Sequence, residues 1–207
     1  FRKGFLIMQS MLFTAIITSF FKEYFALPRP YHVDSTVKLL DGGIPSAREL
    51  NFNKMGAKSF FGFIPESVAN YYRNLSEKIP YGFPSGHTSM AVSIWGLTAF
   101  LFRSFWVRLI CIALIILVPL SRMYLGVHFL GDVIGGYVIG FAMFWLTYKL
   151  ILRPHSLQKY LDKPILPFGG YPVAFVLLLL YPLLLMFVAP SELWNNLGVL
   201  WGMNISF

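Results

Sequence analysis

Ser121-Arg122-Met123-Tyr124-Leu125-Gly126-Val127-His128-Phe129-Leu130-Gly131-Asp132 lies between two apolar stretches, Trp106–Leu120 and Phe129–Tyr148. Each approaches bilayer-spanning length, the first by borrowing flanking residues. Arginine, histidine and aspartate are costly at membrane depth, so their clustering here marks a candidate functional site. His128 and Asp132 are four residues apart. If Phe129 onward is helical, that spacing sets both on one face at the helix start. A carboxylate there can hold the imidazole Nδ1–H, fix the tautomer and leave Nε2 free as a nucleophile. Arg122, a short turn upstream, can bind an anion beside that nitrogen. The alternative reading is a structural ion pair at a helix cap.

The rest of the chain supports a membrane setting. Of 207 residues, 57% are hydrophobic and only 13% charged, with mean hydropathy +0.63. A soluble domain carries about twice that charged fraction. Five apolar stretches stand out: Gly4–Phe21, Thr88–Phe102, Trp106–Leu120, Phe129–Tyr148 and Tyr171–Ala189. The expected fold is all-α, a polytopic transmembrane helical bundle. Residues 1–207 read as a single domain, with 31–83 as an extramembrane cap between the first two spans and 171–207 as further membrane segments. Phe1 is not an initiator, so earlier helices are expected to precede it. Cys111, the one cysteine, excludes an intrachain disulfide framework and a cysteine-based metal site. The net charge of +8 is dispersed around the spans. It reads as topology signals and anionic-headgroup contacts, not as a nucleic-acid surface.

Gly4–Phe21 continues into Lys22-Glu-Tyr-Phe-Ala-Leu-Pro28-Arg29-Pro30. The prolines stop the helix and force Arg29 into an extended conformation. Lys22 and Arg29, seven residues or about two helical turns apart, can face one pocket; the other reading is a snorkelling pair at the membrane boundary. In the 31–83 segment, Glu66 to Lys78 suits an amphipathic helix with Val68, Tyr71, Tyr72 and Leu75 on one side. His32 reads as a loop residue. Pro84-Ser85-Gly86-His87 directly precedes the next apolar run. Ser85 is a natural N-cap, Gly86 permits close backbone approach, and helix-terminal amides favour an anion that His87 would face. A plain capped helix with an interfacial histidine is the alternative. Gly131, Gly135, Gly136 and Gly140 have the spacing of close helix packing.

Counting crossings brings Lys22/Arg29, Ser85/His87 and Arg122/His128/Asp132 to one membrane face. The basic turns Arg103–Arg108 and Lys149–Lys163 fall on the other, which the positive-inside rule makes cytoplasmic. The expected setting is a bacterial inner membrane with the site toward the periplasm or exterior. An organelle membrane with a lumenal site is the alternative.

Lys22-x6-Arg29-Pro30, Pro84-Ser85-Gly86-His87 and Ser121-Arg122-x5-His128-x3-Asp132 together resemble, without departure, the three-part signature of type 2 phosphatidic acid phosphatases. That superfamily also holds glucose-6-phosphatase and the vanadium-dependent haloperoxidases. The resemblance implies His128 as nucleophile forming a phosphohistidine, Asp132 orienting it, and His87 as acid and then base. It implies Lys22, Arg29, Arg122, Ser85 and the Gly86 amide as the phosphate-binding groups. No metal ligand set and no cofactor is expected, so chelators should leave activity intact, whereas vanadate should inhibit. The expected reaction is hydrolysis of a membrane lipid phosphate or diphosphate, the lipid substrate and the bilayer being the partners. A soluble phosphate ester, or an inert lipid-binding or transport role, are the alternatives.

Overall fold

In hydrocarbon a chain must satisfy its backbone N–H and C=O groups internally, so apolar runs of this length become helices. The computed structural model describes residues 2–33, 37, 40, 65–74, 80–149, 194, 197–200 and 202. They form α1 (Arg2–Phe25), α2 (Pro30–Val33), α3 (Glu66–Arg73), α4 (Gly86–Leu101), α5 (Phe105–Tyr124) and α6 (Leu130–Thr147). Among the described residues there is no strand. Three segments, Lys3–Val33, Phe105–Tyr124 and Leu130–Thr147, are long and apolar enough to cross a bilayer. The protein is an all-α integral membrane protein.

α4 is the hub. It packs against α1, α5 and α6, and α1 also touches α6. Two glycines on α6 allow that approach. A Cβ on Gly136 would stand 2.6 Å from the Ser85 carbonyl oxygen and 2.7 Å from Thr88 Cβ. One on Gly140 would stand 2.7 Å from Val92 Cβ and 2.8 Å from the Ser89 oxygen. Only hydrogen fits at either position, so the glycine spacing on α6 sets the distance to α4.

Hydroxyls tie α1 to the same seam. Ser10 Oγ lies 3.0 Å from Ser93 Oγ and 3.1 Å from Thr147 Oγ1. Thr14 Oγ1 lies 3.1 Å from Ser93 Oγ, and Thr18 Oγ1 lies 2.8 Å from Ser89 Oγ. Thr14 and Thr18 also bond the carbonyls of Ser10 and Thr14 at 2.7 Å. All are buried. Spaced four apart on α1, Ser10, Thr14 and Thr18 form one stripe that pairs with α4. Below them, Leu12 and Ile16 pack against Leu197 and Leu200 of the C-terminal segment.

At the end of the bundle away from the three motifs, Arg108 Nε donates to the Ala99 carbonyl and Lys3 Nζ lies 5.6 Å over the Phe102 ring. Lys149 Nζ sits 4.9 Å over Trp145. These cation–aromatic pairs suit a membrane interface.

The cap differs from the sequence reading. α3 ends at Arg73, where the Asn74 N–H reaches the carbonyls of Asn70 and Tyr71. Tyr71 is 43% exposed, while the small Ala69 is buried. Arg73 pins α3 to the bundle by donating to the Phe25 carbonyl at 2.9 Å. Leu75, most of the 31–83 segment and the expected span Tyr171–Ala189 lie outside the described residues. His32 is not a loop residue: it falls in the short α2 and is buried.

Candidate active site

Three chain reversals build the site, and each has a local cause. α5 closes with a C-terminal glycine cap. Gly126, at φ 73°, donates to the Met123 carbonyl while Val127 N–H reaches back to Arg122 O at 3.2 Å. This pairing satisfies last-turn carbonyls and turns the chain sharply toward α6. Arg122 is thereby held in the last turn of α5, and its buried Nε has no hydrogen-bond partner among the described residues.

His128 follows that reversal, one residue before the N-cap Phe129 of α6. It therefore does not share a helical face with Asp132, as the four-residue spacing suggested. The contact forms because Asp132, in the first turn, folds its carboxylate back over the helix start. Asp132 Oδ2 accepts the Phe129 N–H at 2.9 Å and lies 3.3 Å from His128 Nδ1. Both side chains are buried. The carboxylate thus caps α6, favours its positive N-terminal end, and holds Nδ1 as the protonated nitrogen. Nε2 keeps its lone pair. Burial holds the His128 imidazole below the usual histidine range, against the opposing hydrogen bond and charge of Asp132.

The second reversal, Tyr81 to Ser85, connects the other two motifs to this one. Ser85 N–H donates to the Asp132 carbonyl at 2.9 Å, and Gly82 N–H to the Leu27 carbonyl at 2.7 Å. A Cβ on Gly82 would stand 2.9 Å from the Pro28 carbonyl and 3.1 Å from Asp132 Oδ2. Ser85 holds the N-cap position of α4 with extended backbone but makes no side-chain cap. Its Oγ accepts the Thr88 hydroxyl at 3.0 Å instead. No side chain therefore takes the first amides of α4, which remain aimed outward with the partial positive charge of the helix end.

The third is the end of α1. Ala26, at φ 46°, breaks the helix, and its N–H closes on the Lys22 carbonyl at 2.8 Å. Lys22 and Arg29 meet through this reversal, with Arg29 outside the helix as its flanking prolines imply. Both reach one acceptor: Lys22 Nζ donates to Tyr81 O at 2.8 Å and Arg29 Nε to the same oxygen at 3.4 Å.

Lys22, Arg29, Ser85, Gly86, His87, Arg122, His128 and Asp132 thus gather at one end of the bundle. The charges acting on His87, itself exposed, come from Arg122, His128, Arg29 and Lys22. Three cations, a helix terminus and two imidazoles gathered together suit a multiply charged anion. Among the described residues no group of three or more His, Cys, Asp or Glu side chains is placed to hold a metal ion.

The Tyr81–Gly82 strut and the Ser10–Thr14–Thr18 stripe were not read from the sequence. The stripe had a signal, polar residues at four-residue spacing within an apolar helix. The strut acts through backbone carbonyls and had none.

The chain is 28% identical to the lipid A 4'-phosphatase of Porphyromonas gingivalis over 74% of this chain and 52% of that protein. It is 32% identical to phosphatidylglycerophosphatase B of Bacillus subtilis over 40% of this chain and 45% of the relative. Against the undecaprenyl-diphosphatase of Sulfolobus acidocaldarius it is 36% identical over 34% of each. The chain spans about half the length of the first two of these curated relatives. No solved structure matches. The family profile described as PAP2 superfamily matches residues 3–155, which take in all three reversals and every residue gathered at the site, and the chain belongs to that superfamily.

Proposed function

We propose that the protein hydrolyses a membrane lipid phosphate or diphosphate without a metal ion, through a phosphohistidine on His128. The observation that carries this reading is the gathering of Lys22, Arg29 and Arg122 about the His87/His128 pair, with Arg122 Nε left without a protein partner among the described residues.

Phosphoryl transfer asks a protein for in-line positioning and for compensation of charge on three equatorial oxygens. Arg122 and Arg29 supply planar forks, Lys22 a point charge, and the amides at Gly86 and His87 the helix-terminal donors. Ser85, whose Oγ already accepts from Thr88, keeps its own hydroxyl proton to donate. His128 Nε2 attacks phosphorus as the bond to the leaving oxygen breaks, and His87 donates a proton to that oxygen. Asp132 stabilises the imidazolium that forms. In the second half His87 takes a proton from water as the water oxygen attacks phosphorus, and Nε2 leaves as the neutral imidazole. Positioned acid–base help of this kind is worth roughly 10²–10⁴-fold.

A lipid substrate fits the location. The site opens at the end of a bundle of apolar helices, where an acyl or prenyl chain stays in hydrocarbon while its phosphate enters. Arg103, Arg108 and Lys149 lie at the other end, so the site faces away from the cytoplasm, toward the periplasm of a bacterial inner membrane. The names of the relatives point to the same class, each a phosphatase or diphosphatase.

The test is a panel of lipid phosphates and diphosphates, with short-chain and soluble esters beside them, assayed on wild type and His128→Ala in the same vesicles. Turnover of a long-chain member, abolished by the substitution, is expected. Equal turnover of soluble and lipid esters, or activity retained in His128→Ala, would reject the reading.

A further inference from the structure

Pro119 sits inside α5. Having no N–H, it cannot serve the carbonyl four residues earlier, which is Ile115. An unsatisfied carbonyl at this depth is costly, because the bilayer offers no water. Tyr137 of α6 supplies the missing donor: its Oη donates to Ile115 O at 2.8 Å. The phenol ring lies against Phe141, with ring centroids 6.1 Å apart at 17°, so the hydroxyl is aimed across to α5.

The two ends of this bond each lie close to a piece of the site. Pro119 is three residues before Arg122, under one turn, and Tyr137 is five residues after Asp132. A helix bends most readily where its ladder is interrupted. We propose that Tyr137 is a positioning residue: by taking the carbonyl that Pro119 leaves open, it fixes the end of α5 against α6 and so sets Arg122 relative to His128 and Asp132. The inference rests on the phosphoryl-transfer reading for its catalytic consequence, but its geometric part concerns only where Arg122 stands.

The experiment uses the full-length protein in detergent or vesicles and compares wild type, Tyr137→Phe, Pro119→Ala and the double variant. Two readouts are taken, steady-state kinetics on the best lipid phosphate and the concentration of vanadate that stabilises each variant against heat. Tyr137→Phe should raise KM and weaken vanadate by on the order of 10-fold, with kcat less affected. It should leave the acid limb of the pH profile in place, because the His128–Asp132 pair is untouched. Pro119→Ala in the same chain returns an N–H to Ile115, so the double variant should recover most of the lost vanadate affinity. A Tyr137→Phe protein with wild-type KM and vanadate response would overturn the inference and leave the function standing. So would a loss that Pro119→Ala fails to reverse. If no lipid phosphate is turned over yet vanadate binds and shows this pattern, the inference holds and the function reading falls.

Discussion

The seam where α1, α4 and α6 meet and the outer face of α5 are both built in apolar helices, yet they follow opposite rules. Along the seam the buried residues include Ser10, Thr14, Thr18, Ser89, Ser93 and two glycines of α6, beside the apolar Leu6, Val92 and Leu97. On α5 the exposed residues include Leu109, Ile110, Ile112, Ile116, Leu117 and Leu120. In the most apolar part of α1, 44% of residues are buried inside the protein, against 11% in α5. Lipid tails are as apolar as leucine, so hydrophobicity gives a membrane helix no reason to choose protein over lipid. Close approach and hydrogen bonds decide instead. In this bundle the polar and smallest residues mark where helices touch, and the seam they make leads to the site.

The contrast is broken most severely at the catalytic end. His128→Ala should cost on the order of 10⁴-fold or more in kcat, since it removes the proposed nucleophile. An outward leucine or isoleucine of α5, such as Leu117→Ile, should leave kinetics unchanged in the same assay.

Gly136→Ala tests the seam itself. Its Cβ would meet the Ser85 carbonyl at 2.6 Å, backbone that cannot give way cheaply. A destabilisation of about 1–3 kcal/mol is expected from such overpacking, with a loss of activity because Ser85 and His87 move with α4. Val138→Ala, two residues on and 65% exposed, should do neither. Thermal unfolding in detergent alongside turnover would report both.

Thr18→Val removes one interhelical hydrogen bond to Ser89 while keeping the volume of the side chain. Bonds of this kind average about 0.6 kcal/mol in membrane proteins. The expected result is a small fall in unfolding temperature with turnover within a few-fold of wild type.

The pH profile sharpens the account at the smallest scale. Burial holds His128 below the ordinary imidazole range while Asp132 pulls the other way. The nucleophile is lost when His128 gains a proton, so the acid limb of kcat/KM should lie below the usual histidine range. Asp132→Asn removes the opposing pull, so that limb should move further toward acid while kcat falls. A limb that moves toward neutral would show that Asp132 does not act on His128 in this way.

Much of this was legible in the sequence, and the parts that were not share a cause. Apolar run lengths located α1, α4, α5 and α6 to within a few residues, because in a bilayer length and hydropathy suffice. The glycines of α6 announced a close contact, and Gly136 and Gly140 make it with α4. What failed was the geometry of turns. Proline placed the end of α1 before Arg29 and the apolar run placed the start of α6 near Phe129, but spacing did not show how the turns bring Lys22 to Arg29 and Asp132 to His128. In each case the chain reverses, at Ala26 and at Gly126–Phe129, and the residues meet by other means. Ser85 was expected to cap α4 with its side chain, but Thr88 engages that hydroxyl. Tyr81 and Gly82 could not be found at all, since a carbonyl oxygen is present at every position and only the fold chooses which one serves.

The central claim is that His128 carries the phosphoryl group in mid-reaction. It is tested most directly by mixing enzyme with lipid phosphate labelled at phosphorus, quenching in alkali, and locating the label by mass spectrometry. The account predicts a phosphoryl group on His128 that survives alkali and is lost in acid. It should be absent in His128→Ala. Label on any other residue, or turnover proceeding in His128→Ala, would contradict it.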